Sequence, residues 1–354
     1  MQEPLPFAPY NAVPSTASGP FAVPDALSEF SLIDRFFARR AARGARASTL
    51  GIGDDCALIA PRSGKLLAIS TDMLVEGRHF FPDVAPEALG HKTLAVNLSD
   101  LAAMGAEPRA FTLACALPRA DAAWLEAFSN GLFALAERHG CELIGGDTTS
   151  GPLNLCVTVF GEVAPDAALR RDAARDGDDV WVSGTLGDAR AGLGVARGEW
   201  AAGADAATAF RQALERPEPR VALGVALAGV AHAALDISDG LAGDLQHILT
   251  RSNVCADIDA DAVPRSAALA TLPADVQRRC ALAGGDDYEL CFTAPASARA
   301  AVAAAGAKAG VAVTRIGTIR ALSAPSERPA IAWHDAAGAP LALTLHGFDH
   351  FHAD

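Results

Sequence analysis

Lysine is scarce: the chain has three, Lys65, Lys92 and Lys308, among 354 residues. None stands in a G-x-x-x-x-G-K-[ST] string, and no G-x-G-x-x-G string occurs, so the P-loop, protein-kinase and Rossmann routes to a nucleotide are excluded. Basic charge is short overall, with 29 Lys and Arg against 42 Asp and Glu and a net charge of −13. That balance opposes sequence-independent nucleic-acid binding, which needs cations to neutralise phosphates. The seven cysteines never form C-x-x-C and are odd in number, which predicts reduced thiols in a cytoplasmic protein. The first 24 residues hold six prolines and no Lys or Arg, so they lack the basic start and apolar run of a signal peptide and read as a disordered tail over 1–27. The longest apolar stretch, 221–235, is interrupted by His232 and falls short of the ~20 residues of a membrane span.

What is present is a 51% apolar chain, long enough for two domains of roughly 150 residues each. Helical spacing starts at Phe30. A short buried strand over 66–70 runs into Thr71 and Asp72, a helix over 91–104 carries Asn97 and Asp100 three apart on one face, and a strand over 142–144 ends in Gly145-Gly146-Asp147. The strand over 155–163 closes an N-terminal domain, 28–163. The remainder, 164–354, alternates again: strands over 180–183, 234–237 and 288–292, with Ser238-Asp239-Gly240 and Gly284-Gly285-Asp286 between strands and helices. The class is α/β (α+β) in two halves.

Aspartates recur at strand ends or in glycine turns beside them: Asp54 and Asp55, Asp72, Asp100, Asp147, Asp236 and Asp239. Singly, an Asp-Gly pair is more often a turn than a ligand, and Asp239 is equally placed to cap the helix starting near Leu241. Together, carboxylates beside apolar segments repel and lose solvation, so the set persists only with cations bound. Oxygen-only donors favour Mg²⁺ over zinc. Gly51, Gly53, Gly145, Gly146 and Gly184 let backbone N–H groups approach an anion, and a polyphosphate bridged by Mg²⁺ is the natural occupant. His346, His350 and His352 resemble metal ligands by type but read as a surface patch. Ser183 lacks the G-x-S-x-G elbow of a hydrolase.

The strings FSLID (30–34), GIGDDCAL (51–58), AISTDMLV (68–75), LAVNLSDLAAMGAEP (94–108), LIGGDTTSG (143–151), ALDISDGL (234–241), GGDDYELCF (284–292) and GFDHF (347–351) run in order along the chain. In them the sequence resembles the thiamine-monophosphate kinases. Their superfamily also holds aminoimidazole ribonucleotide synthetase, selenophosphate synthetase and a hydrogenase-maturation protein. The resemblance implies an N-terminal α/β domain whose strands pair across a homodimer, and a C-terminal α/β domain completing the site. It implies transfer of the γ-phosphoryl group of ATP to thiamine monophosphate with several Mg²⁺ ions and no general base. By motif, Asp55, Ser70, Thr71, Asp72, Asp100, Asp147, Asp236 and Asp239 fall on metal ligands. Gly146, Asp147, Arg171 and Ser238 fall on the ATP side, and His79, Asp286 and Phe348 on the substrate side. The family's usual Gly-Gly-Glu-Asp is Gly284-Gly285-Asp286-Asp287 here; the shorter carboxyl leaves a water or Glu289 as the alternative contact. Two other readings stand beside this one. A further ATP-dependent member of the superfamily is one, although no Cys precedes Cys56 as selenophosphate chemistry would want. A non-catalytic thiamine-phosphate or nucleotide sensor is the other.

Overall fold

The computed structural model describes residues 29–41, 47–324, 326–343 and 345, so the expected tail, Phe348 and the three C-terminal histidines lie outside the described residues. The chain enters through short helical turns, α1 (Glu29–Leu32) and α2 (Arg39–Ala41), joined by a π-helical turn over Ile33–Ala38 that buries Phe36 and Phe37. A two-stranded ribbon, β1 (Ser48–Leu50) with β2 (Leu58–Ile59), precedes β3 (Leu66–Val75), α3 (Pro86–Ala103), β4 (Glu107–Leu117), α4 (Ala122–Arg138), β5 (Glu142–Ser150) and β6 (Asn154–Val163). The last four strands form one sheet in the order β3-β6-β4-β5, antiparallel except for β4 with β5.

The second half runs β7 (Asp178–Ser183), α5 (Asp188–Ala196), α6 (Ala204–Glu215), α7 (Val221–Leu227), β8 (Ala233–Asp236), α8 (Leu241–Ser252) and β9 (Cys255–Asp259). It continues with α9 (Ala274–Ala283), β10 (Leu290–Pro295), α10 (Arg299–Ala309), β11 (Val313–Arg320) and β12 (Ile331–His334). Its six-stranded sheet has the order β12-β9-β11-β7-β10-β8, with β12 and β9 the one parallel pair. Among the described residues no helix is long and apolar enough to cross a membrane.

Two strands outrun the sequence expectation. β3 does not stop at Ser70: it pairs with β6 continuously to Val75, which puts Thr71 and Asp72 inside the strand. β5 continues through Gly145, Gly146 and Asp147 to Ser150 because β4 pairs with it in parallel along that length. Gly146 belongs there for a steric reason: a Cβ on it would lie 1.8 Å from the Leu113 carbonyl oxygen of β4. Asp236, by contrast, does end its strand.

Helix α3 holds the two halves together. It packs on α4, on β3 and β6 of the first sheet, and on α7 and β8 of the second half. Fifteen of its eighteen residues are buried, the pattern of a helix wrapped on all sides rather than laid on a surface. The α3–α4 contact is backbone to backbone. A Cβ on Gly90 would sit 2.0 Å from the Phe128 carbonyl oxygen, and one on Gly131 1.8 Å from that of Glu87. Gly131→Ala therefore forces the helices apart and is expected to lower stability by about 1–3 kcal/mol, the usual range for overpacking. Urea unfolding of the variant checks this, and an unchanged midpoint would contradict the close-packed contact.

Candidate active site

Strand alternation decides which β3 side chains reach the interior. Ser70, Asp72 and Leu74 face α3, and that face meets the polar edge of the helix: the Asp72 N–H donates to Asn97 Oδ1 at 3.0 Å, and Ser70 Oγ donates to Asp100. The three-residue spacing of Asn97 and Asp100 thus serves β3, one side chain holding the strand backbone and the other a strand hydroxyl. From the second half, the β8 terminus delivers buried Asp236, and the loop after it delivers Ser238 and Asp239. The Asp239 N–H donates to Asp244 Oδ2 at 3.0 Å, which fixes this loop on the first turn of α8.

Asp72, Asp100, Asp236, Ser238 and Asp239 line one cleft of about 1580 Å³ between the two halves, together with His79, Arg171, Asp286 and Tyr288. A neighbouring recess of about 600 Å³ shares Asp100 and Arg171 with it, and includes Ser70 and Arg251. His79 Nδ1 accepts the Val75 N–H at 3.0 Å, so the neutral ring carries its proton on Nε2.

The electrostatics of the cleft are those of carboxylates under mutual repulsion. Burial, then Asp100 and Asp239, push the Asp72 carboxyl up to about 6. Burial, then Asp100, with Asp244 and Asp72 adding to it, push Asp236 to about 8. Asp244 rises to about 7 through burial and Asp239. Asp100 is also raised by burial, against the pull of Ser70 and Arg171. One guanidinium, Arg171, opposes the charge on both Asp100 and Asp244. Among the described residues no three Asp, Glu, His or Cys side chains converge into a ready-made metal cage. Asp72, Asp100, Asp236 and Asp239 nevertheless offer carboxylate oxygens, and their repulsion is what a hard divalent cation relieves, so these residues fit Mg²⁺.

Not every candidate reaches the cleft. Asp55 is exposed in the turn between β1 and β2. Thr71 points to the other face of β3, where its hydroxyl meets that of Thr158 at 2.8 Å. Asp147 is exposed in register with Ala114, whose β6 partner Cys156 pairs with Met73, so it also lies on the face away from α3. Gly146 sits beside it in β5, outside the cleft lining. Glu289 is no alternative for a longer residue at 286: it is buried, held in two contacts by Arg220, and accepts a hydrogen bond from Ser183 Oγ. Three cleft-side groups escaped the sequence reading. Asp244 carries no motif of its own, Tyr288 stands in the GGDDYELCF string without a role of its own there, and for Lys92 the sequence speaks only against a P-loop lysine. The usable signal for Lys92 is a lone cation inside an otherwise apolar helical run.

The family models for AIR synthase related protein match here, the N-terminal domain over residues 53–163 and the C-terminal domain over 175–326. The thiamine-monophosphate kinase of Salmonella typhimurium is 46% identical over 330 residues, covering 92% of this chain and 99% of that protein. The chain belongs to the thiamine-monophosphate kinase family. The family member from Stenotrophomonas maltophilia, a solved structure, is 48% identical, covers 89% of this chain and 98% of its own, and superposes with a TM-score of 0.79. A family structure described as AaThiL complexed with AMPPCP and TMP is 31% identical, covers 91% of this chain and 97% of its own, and has a TM-score of 0.70.

The raised carboxyls give a pH dependence of definite sign. A carboxyl whose folded pKa lies above its ordinary 3.8 contributes stability that is complete below that value and is lost as pH rises through the folded pKa. Without divalent cations, Tm should therefore fall from about pH 4 to about pH 8, and Mg²⁺ should restore it most at the alkaline end. Asp236→Asn should flatten the cation-free fall above about pH 6 and shrink the Mg²⁺ gain. Thermal melts across pH with and without Mg²⁺ check this; a Tm level with pH and indifferent to Mg²⁺ would contradict the electrostatic account.

Proposed function

We infer that this chain transfers the γ-phosphoryl group of ATP to the phosphate of thiamine monophosphate, giving thiamine diphosphate and ADP. The observation that carries the reading is the convergence of Asp72, Asp100, Asp236 and Asp239 with Arg171 on one cleft between the two halves, in a chain of this family. A phosphate monoester has a second pKa of about 6 and is largely ionised at neutral pH, so the nucleophile needs no base. The cleft agrees with that. Burial and the charges of Asp286, Asp72 and Asp236 push the Tyr288 phenol well above its ordinary value, so it stays a neutral hydroxyl and donates to Asp286 Oδ1 at 3.2 Å.

What such a reaction demands is the approach of two polyanions in line. Asp72, Asp100, Asp236 and Asp239 would hold Mg²⁺, which supplies the positive charge between the phosphates. Arg171, lining both the cleft and the adjoining recess, binds the ATP phosphate chain beside Ser238. The His79 imidazole presents its Nε2 proton on the acceptor side, with Asp286. The roles of Asp55, Thr71, Gly146, Asp147 and Phe348 rest on the motif match. The division of the chain after Val163, and a cytoplasmic setting for the reaction, belong to the same reading.

The homodimer is also proposed, on the outer face of the first sheet. There Ile69 and Met73 of β3 are 59% and 51% exposed, beside the half-buried Cys156, Thr158 and Phe160 of β6. Open apolar strand faces of this kind mark contact surfaces. Met73→Glu should shift the protein toward monomer in sedimentation velocity, and an unaltered sedimentation coefficient would remove this face from the interface.

Two kinetic outcomes test the activity. Asp72→Asn should lower kcat for ADP formation with thiamine monophosphate by at least about 100-fold while leaving the melting transition cooperative, since one charge leaves the cation site. Arg171→Ala should raise KM for ATP more than KM for thiamine monophosphate, as initial rates with each substrate varied will show. Full turnover of Asp72→Asn at saturating Mg²⁺ would contradict the role given to that carboxylate.

A further inference from the structure

Lys92 is on α3, and its side chain is 3% exposed. Its Nζ lies 3.0 Å from Asp286 Oδ1, donates to the Leu214 carbonyl oxygen of α6 at 3.0 Å, and makes a longer contact of 3.4 Å with the His79 carbonyl oxygen. Three protons thus meet three acceptors, from three separate parts of the chain. Burying an ammonium is costly unless its partners are all in place, and an apolar side chain would fill the same position on a wrapped helix at no such penalty. Two of the three acceptors belong to His79 and Asp286, residues on the cleft wall.

The Asp286 side of this junction is tightly determined. Asp286 and Tyr288 adopt left-handed backbone conformations, φ 67° and 51°, which side chains other than glycine rarely take. The Asp286 N–H donates to the Ser238 carbonyl and the Tyr288 N–H to that of Ile237, both at 2.8 Å. Lys92 and the Tyr288 hydroxyl then converge on the same oxygen, Oδ1, which sets the rotation of a carboxyl that is 31% exposed to the cleft. On the other side, the turn bearing His79 is closed by the Gly77 N–H donating to the Phe80 carbonyl at 2.9 Å.

We propose that Lys92 is a positioning residue for the acceptor side of the cleft: its ammonium locks the Asp286 carboxylate and the His79 turn into one arrangement that receives thiamine monophosphate. This rests on the reading of the cleft given above. Lys92 contacts neither Arg171 nor any of the four carboxylates assigned to Mg²⁺, so its loss acts on the acceptor alone. Lys92 acts through Asp286, so the two residues are energetically coupled.

Initial rates of ADP formation, with ATP and thiamine monophosphate varied separately, test this in the full-length wild type, Lys92→Met, Asp286→Asn and the double variant. Lys92→Met should raise KM for thiamine monophosphate about tenfold or more and leave KM for ATP within about twofold. In the Asp286→Asn background the same change should have less than about a threefold effect. Equal rises in both KM values, a loss confined to kcat, or full additivity in the double variant would each overturn the proposal. If Lys92→Met does not fold, Asp286→Asn alone decides: it keeps the shape of a partly exposed side chain, and an unchanged KM for thiamine monophosphate would overturn the proposal. A wild type that does not consume thiamine monophosphate would instead overturn the reading of the cleft itself, and the proposal with it.

Discussion

The structure depends on a helix enclosed along almost its whole length. Because α3 is enclosed by α4, the first sheet, α7 and β8, each polar residue it carries has to find a partner in the protein or cost the fold a buried unpaired group. That requirement is what organises the site. Asn97 satisfies the backbone of β3, Asp100 meets Ser70, Lys92 meets Asp286, and the Nε2 of His91 contacts the Pro217 carbonyl oxygen at 2.7 Å. The central helix therefore does more than fill the core: its polar side chains set the relative position of the two halves whose meeting forms the cleft.

Charge in the cleft is arranged as a deficit. Carboxylates enter from β3, α3, β8 and the loop beyond it, and the Arg171 guanidinium lowers the cost on Asp100 and on Asp244 of α8. A protein that kept this arrangement for stability alone would replace the carboxylates by neutral side chains. The arrangement is a balance between fold and function: the repulsion costs stability and leaves a site that a cation would neutralise.

Much of this was legible in the sequence, for identifiable reasons. Asp72, Asp100, Asp236 and Asp239 stand in strings whose glycine, serine and asparagine neighbours mark them as more than turns, and the alternation of strands and helices fixes the class. Pleat and register were not legible. Whether Thr71 or Asp72 faces the interior depends on the pairing of β3 with β6, and Asp147 was expected at a strand end because nothing local shows that β4 extends the pairing past Gly145 and Gly146. Lys92 is not legible as a buried cation, since a lysine in a helix is ordinarily solvated. Only the enclosure of α3, built from segments more than a hundred residues away in α6 and α7, makes it a buried cation.

The scarcity of lysine has a practical side as well. With Lys92 enclosed, amine-directed reagents meet the lysines at two described positions, Lys65 in the turn before β3 and Lys308 in the last turn of α10, both exposed and neither on the cleft. Coupling through these lysines to a dye or a solid support will thus attach the protein by side chains outside the cleft lining, leaving the cleft open to solution.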